Sequence, residues 1–379
     1  MRQARLHTSM RILYDHQAFS LQNLGGITVY YFELATRLSH VRDVSAEVHL
    51  GLHNSVYSFE EAAVETGLRV VGWRSKMRPG LERYAVNEVL TGAIAAFSGQ
   101  YDVYHTTLYR RMPTVRARVT VATNHDCTQE RYPEFFKDAG RVTRAKRALY
   151  RETDMIFCVS KISQRDVLTY YNVDPARTRV INQGVPHLRR DPDSAREFIA
   201  SLRRPYLLYV GARYSYKNFA GLVEAFATGG FSQDYDLIAV GGGNFTQAEK
   251  SEIARHGVER AVLQWGFVND AVLAEAYSRA TLFVSPSFYE GFGLPPLEAL
   301  TVGCPVLASS TASVPEICGD AAMYFNPTQP GDLVRGLGDA LNDPERDGRR
   351  IRGFIQAARY SWQTNAEKTL AVYRELLGQ

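Results

Sequence analysis

Glu290-Gly-Phe-Gly-Leu-Pro-Pro-Leu-Glu298 follows an apolar, strand-like run, Leu282–Ser285, by way of Pro286 and Ser287. Two consecutive prolines suit the first turn of a helix, where no intrahelical amide bond is lost, so a helix is predicted over Pro295–Thr301. The order is strand, glycine loop, helix: a βα unit whose loop lies at the carboxyl end of its strand. Glycines let backbone approach a ligand closely, and the amides of Phe292 to Leu294 face an anion at the helix's positive end. A diphosphate fits that chemistry. Glu290 on the loop and Glu298 one turn into the helix would then accept hydrogen bonds from two sets of sugar hydroxyls. Taken alone, the pattern also describes a glycine-rich turn with Glu298 on a solvated helix face.

Working outward, the same alternation fills the chain. In the second half the predicted strands are Tyr206–Val210, Asp236–Val240, Ala261–Gln264, Leu282–Ser285 and Pro305–Ala308. Between them lie helix-period segments Phe219–Ala227, Gln247–His256 and Ala271–Ala280. In the first half the strands are Arg11–Tyr14, Val48–Gly51, Tyr101–His105, Val119–Thr123, Met155–Val159 and Thr178–Asn182. Helices are expected at Thr28–Ser39 and at Lys161–Tyr171, the latter capped by Ser160. Alternating βα units favour parallel sheets covered by helices on both faces. The fold class expected is therefore α/β, with two Rossmann-like doubly wound domains. The charged, proline-flanked segment Pro186–Arg204 reads as the linker. The division is 1–195 for the first domain, 196–355 for the second and 356–379 for a C-terminal segment.

Several loops at predicted carboxyl edges carry polar chemistry. Arg213 and Lys217 follow Tyr206–Val210, able to neutralise a leaving diphosphate through charge-assisted bonds; two basic residues in a loop are also ordinary surface charge. Gly25-Gly26 follows the first strand, and Asn124-His125-Asp126-Cys127 follows Val119–Thr123. His105 ends another strand and is a weaker candidate for the acceptor side. Cys127 beside His125 has no recognisable oxyanion context for a nucleophile. Asp234-Tyr-Asp236 is formally a DxD metal motif, but it leads into its strand and so sits at the amino end, away from the ligand edge. No metal is required where cations and a helix end offset the phosphate charge. Gly241-Gly-Gly243 lacks the GxGxxG dinucleotide spacing, and Trp265-Gly-Phe-Val268 follows the predicted strand Ala261–Gln264.

Two glutamates separated by seven residues, in the run EGFGLPPLEA, resemble the signature of the family 4 glycosyltransferases, and the resemblance runs from Met10 nearly to the end. It implies the GT-B architecture, in which two Rossmann-like domains face across a cleft, and transfer with retention of anomeric configuration. The first glutamate of the signature then contacts the donor hexose and the second the ribose, placing those roles on Glu290 and Glu298. The resemblance makes Glu290, His125, Arg213 and Lys217 the catalytic set. It adds Gly25, Gly26, Val268, Gly291, Phe292, Gly293, Leu294 and Glu298 to the donor-binding set. Gly241–Gly243 is similar to the family's glycine run at the nucleotide pocket. Tyr360-Ser-Trp362 with the helix Ala366–Leu377 resembles its C-terminal segment, which returns to the first domain.

Within the family the chain resembles bacterial mannosyltransferases of polysaccharide assembly. It implies a nucleotide sugar, GDP-mannose, as donor and a glycan or polyprenyl-linked acceptor. A catalytically silent GT-B binding protein and a GT-B phosphorylase or epimerase are the alternatives. Glu290, Arg213 and Lys217, all present, argue against the first, and EGFGLPPLE argues against the second.

Composition sets the outer bounds. The 379 residues are 45% hydrophobic and 22% charged, with a formal net charge of +4, which is ordinary globular composition without the concentrated basic stripe of a nucleic-acid binder. No apolar run approaches the ~20 residues of a membrane span. The first ten residues have no apolar core and read as an upstream extension, not a secretory signal. Four scattered cysteines suit a reduced, cytoplasmic setting. Two basic stretches, Arg69–Arg83 with Trp73 and Met77, and Arg141–Arg151, read equally as solvated faces or as peripheral contacts with an anionic membrane.

Overall fold

The computed structural model describes residues 9–186 and 188–379; most of the N-terminal extension lies outside the described residues. The described residues form two compact units, one running up to Gly184 and taking in Ser361–Gln379, the other Val185–Tyr360.

The first unit is built on seven parallel strands: β1 (Met10–Tyr14), β2 (Val44–His53), β3 (Arg69–Arg74), β4 (Gln100–Thr106), β5 (Arg116–Asn124), β6 (Met155–Cys158) and β7 (Thr178–Val180). Their order is β3-β2-β1-β4-β5-β6-β7. The chain winds outward from β1 to β3, then returns past β1 to β4, so the order reverses between β1 and β4. The second unit holds β8 (Tyr206–Val210), β9 (Asp236–Val240), β10 (Val262–Trp265), β11 (Leu282–Ser285), β12 (Val306–Ser309) and β13 (Met323–Phe325). These too are all parallel, in the order β10-β9-β8-β11-β12-β13. Here the reversal falls between β8 and β11. In both sheets the central strands are buried on both faces, which is why they read as continuous apolar runs and not as alternation.

The helix Trp362–Leu377 packs in the first unit. Trp362, Ala366, Leu370 and Tyr373 join its core, and Asn365 Nδ2 donates to Asn182 O at 2.8 Å. Gly184 is required where the chain leaves: a Cβ there would collide with the backbone nitrogen of Trp362. The expected linker 186–204 groups with the second unit. It contains a helix, Arg196–Ser201, whose Phe198 packs edge-on against Trp265, and its Arg190 is paired with buried Glu275 at 2.9 Å.

The basic stretch Arg69–Arg83 divides in the structure into edge strand β3, a connection, and the start of a helix, Leu81–Phe97. Arg83 does not face outward. It is fully buried, donating to the carbonyls of Ser20 and Phe19 and to Asn23 Oδ1, so it cannot contribute to a lipid-facing surface. In the other stretch, within the helix Ala139–Glu152, Arg141, Arg144, Arg147 and Arg151 are exposed, whereas Lys146 turns inward.

Candidate functional site

Order reversal in a doubly wound sheet opens a crevice at the strands' carboxyl ends. In the second unit the loops leaving β8 and β11 meet there. Asn218 Nδ2 donates to Pro286 O at 3.2 Å, and the Phe288 N–H donates to Tyr216 O at 2.9 Å, tying the two loops together. Lys217 ends a 3₁₀ turn, Ser215–Lys217, and Asn218 takes the left-handed conformation (φ 55°) that starts the following helix. Lys217 Nζ then lies 2.7 and 2.8 Å from the two carboxylate oxygens of Glu290. Ser287 Oγ donates to the same carboxylate at 2.7 Å, while Ser313 Oγ holds the Glu290 carbonyl at 2.7 Å. Both charges are only partly screened, with side chains 20% and 13% exposed.

Gly293 (φ 96°) caps the helix Leu294–Thr301, one residue earlier than the prolines alone suggest. A side chain there would be strained by the left-handed backbone and would press on Val314. Gly291 and Phe292 are buried in the same loop, and Phe292 meets Tyr360 edge-on at 5.6 Å. One turn on, the Glu298 carboxylate accepts a single hydrogen bond from Tyr277 at 3.0 Å. Burial, with some repulsion from Asp270 and against the Tyr277 bond, raises its pKa from 4.5 to about 7. Tyr277 belongs to the helix Asp270–Arg279, entered directly from the half-buried Val268 loop that follows β10. Glu290 and Glu298 thus differ: one carboxylate is matched by a lysine, the other has only a phenol.

Arg213 is held by protein groups other than Glu290. Its side chain is 2% exposed and pairs with Glu249 at 2.7 Å. The rest of the guanidinium donates to the carbonyls of Gly241 and Gly243 at 2.7 and 2.9 Å. It lies over the Phe245 ring. Three consecutive left-handed glycines, 241–243, turn their carbonyls toward it. A Cβ on Gly242 would sit 2.7 Å from the guanidinium. Gly241 N–H also donates to Trp265 O at 3.0 Å, linking the glycine run to the Val268 loop. Arg213 therefore shapes that run, and Lys217 alone of the two cations faces Glu290. Glu249 escaped the sequence reading, although Thr246-x-x-Glu249 is a legible capping box. Ser287 and Ser313 had no such signal.

The first unit brings together other predicted residues around its own sheet edge. Gly25 caps the helix Gly26–Ser39, which starts two residues before the expected Thr28. Tyr30 and Tyr31 of that helix meet the His125 ring edge-on, at 5.1 and 5.9 Å between centroids. Burial lowers the His125 pKa to about 4, so the ring is neutral at physiological pH, and its buried Nε2 has no hydrogen-bond partner among the described residues. Lys146 steadies the loop from below. Its ammonium donates to Asp126 O at 2.8 Å and pairs with buried Glu130 at 3.2 Å.

Three other candidate positions are buried or paired in the structure. His105 is a core residue with both ring nitrogens bonded, to Tyr373 OH at 2.6 Å and Thr123 Oγ1 at 2.8 Å, so it cannot line an acceptor site. Burial pushes the Cys127 thiol well up, away from the nucleophilic thiolate. Asp236 sits at the amino end of β9, paired with Arg204 at 3.3 Å. Among the described residues no three His, Cys, Asp or Glu side chains converge.

Comparison with known proteins agrees with this geometry. Residues 24–189 match the profile "Glycosyltransferase Family 4" and residues 192–359 the profile "Glycosyl transferases group 1". The O-antigen chain mannosyltransferase B of Escherichia coli is 27% identical over 374 residues, covering 93% of this chain and 97% of that protein. Among solved structures, a sucrose-phosphate synthase from Thermosynechococcus elongatus superposes with a TM-score of 0.79 at 20% identity, covering 97% of this chain and 99% of that one. HepE of Anabaena, in complex with UDP and glucose, gives 0.75 at 18% identity, covering 97% and 100%. Each unit has the doubly wound parallel sheet of the GT-B fold. With both halves matched in order along the chain, and a glutamate pair seated at the second sheet's reversal point, the protein is a glycosyltransferase and belongs to family 4.

Proposed function

We propose that this enzyme transfers mannose, with retention of configuration, from GDP-mannose to a glycan or polyprenyl-linked acceptor in cell-surface polysaccharide synthesis. The observation that carries the reading is the Lys217–Glu290 pair at the β8/β11 reversal, with Glu298 one helical turn away. Lys217 is poised to exchange its carboxylate partner for the leaving diphosphate. The exchange would release Glu290 to bind the hexose hydroxyls, while Glu298 takes the ribose. Amides at the start of the helix Leu294–Thr301 add positive potential where phosphate charge develops. In this scheme the departing β-phosphate itself receives the acceptor proton, so no protein nucleophile is needed. Arg213 contributes by holding the glycine run open beside the nucleotide. The first unit would take the acceptor, with His125 as a neutral hydrogen-bonding group.

Support for a nucleoside diphosphate donor comes from the UDP in the HepE complex, and support for mannose from the name of the Escherichia coli relative. Incubation with a panel of radiolabelled nucleotide sugars and a lipid-linked acceptor extract tests the donor. Incorporation from GDP-mannose, with an α-linkage by NMR, is expected. Incorporation only from another donor would overturn the mannose assignment, and a β-linkage would overturn retention.

A further inference from the structure

The helix Leu81–Phe97 is inverted. Its polar residues Arg83, Asn87 and Thr91 are buried, and Asn87 spans Leu52 N and O and Ser20 Oγ at 2.6 to 3.0 Å. The opposite side is exposed and apolar: Leu81 is 63% exposed, Val89 74% and Phe97 93%, with Val86, Ala85, Ala93 and Ala96 between them. Glu82 is the one charged residue in this row. Seventeen residues make a face about 25 Å long. A single exposed apolar side chain is ordinary, but a contiguous row is a contact surface.

Neighbouring residues indicate what it contacts. The chain passes outward from β2 to β3 and back from β3 to β4, so right-handed crossovers place the two connecting helices on opposite faces of the sheet. Arg74 reaches across one face to Glu60 of the helix Phe59–Thr66. Its strand neighbour Trp73, half exposed, therefore projects from the other face, the one bearing Leu81–Phe97. Lys76 and Arg78 are exposed on the short connection between them. An apolar helix face with an aromatic at either end and cations at its rim has the chemistry of an anionic lipid–water interface. The helix is not long and apolar enough to cross a membrane. We infer that the Leu81–Phe97 face, with Trp73, Lys76 and Arg78, docks the first unit onto an anionic bilayer surface, lying in it rather than spanning it.

The test is co-sedimentation of the full chain with vesicles of phosphatidylglycerol and phosphatidylcholine in equal parts, against phosphatidylcholine alone. No donor is added, so the outcome is independent of the proposed transfer reaction. Wild type should pellet with the anionic vesicles. Lys76→Ala and Arg78→Ala should each bind about fivefold more weakly, the equivalent of about 1 kcal/mol per cation near an anionic surface. Val89→Glu with Phe97→Glu should abolish binding at an unchanged melting temperature, because both side chains are already in water. Absence of wild-type binding, or equal binding by the double variant, would overturn the proposal. So would light scattering that shows a wild-type dimer made monomeric by Val89→Glu with vesicle binding intact, since the face would then serve a second copy.

Discussion

Glu298→Gln should make the free protein more stable at alkaline pH while weakening its hold on nucleotide. Enclosure lifts the Glu298 carboxyl from 4.5 to about 7, and its one hydrogen bond comes from a neutral phenol. A folded-state pKa raised above the unfolded value means that the group's contribution is most favourable below about 4.5 and is lost as pH rises through about 7. At ~1.4 kcal/mol per tenfold change in proton affinity, the ionised carboxylate costs at most about 3 kcal/mol at pH 8. Partial access of water to the residue reduces that figure, so a gain of about 1 kcal/mol or more is expected from the neutral isostere. For a domain of this size that is roughly 2–4 °C in melting temperature.

The same substitution removes an ionic acceptor for ribose hydroxyls, a loss of about 1.5–3 kcal/mol for a charged hydrogen bond, or roughly ten- to a hundredfold in affinity. Thermal melts at pH 5 and pH 8, with calorimetric titration of GDP, separate the two effects. The variant should melt higher than wild type at pH 8 and by a clearly smaller margin at pH 5, where Glu298 is protonated in the folded state although still largely ionised in the unfolded chain. A variant less stable at pH 8, or one that binds GDP as wild type does, would refute the assignment of Glu298 as a strained nucleotide contact.

Glu290→Gln should cut turnover roughly a hundredfold, the scale of a ~2.7 kcal/mol transition-state interaction, yet leave GDP affinity equal or higher because Lys217 is released. Lys217→Ala should instead weaken GDP binding by about 1.5–3 kcal/mol, read by calorimetry; parallel behaviour of the two variants would break the partner-exchange scheme. Since burial holds His125 neutral above about pH 4, His125→Gln should lower the rate by one factor across pH 6–9. An inflection near pH 6.5 that disappears in the variant would show a titrating imidazole instead. Transfer should persist in excess EDTA, with phosphate charge met by Lys217 and the helix end; loss of activity restored by manganese would reopen the metal question.

Most strands were legible because a parallel strand buried on both faces must be apolar throughout, as in Tyr206–Val210 and Leu282–Ser285. The Glu290–Glu298 loop was legible for a local reason: a left-handed Gly293 and a proline-opened helix leave their mark in adjacent residues. Edge strand β3 and the helix Leu81–Phe97 were not recognised. The helix buries Arg83, Asn87 and Thr91 and exposes Val89 and Phe97, so its periodicity points the wrong way for a core-facing helix. The charge partners were equally hidden. Arg213 and Lys217 look alike in sequence, four residues apart after one strand. Strand order alone separates them: β9 beside β8 delivers Glu249 and the glycine carbonyls to Arg213, and β11 on the other side delivers Glu290 to Lys217. Residue types and local backbone needs are written along the chain, whereas a partner 36 or 73 residues away is chosen by which strands lie side by side.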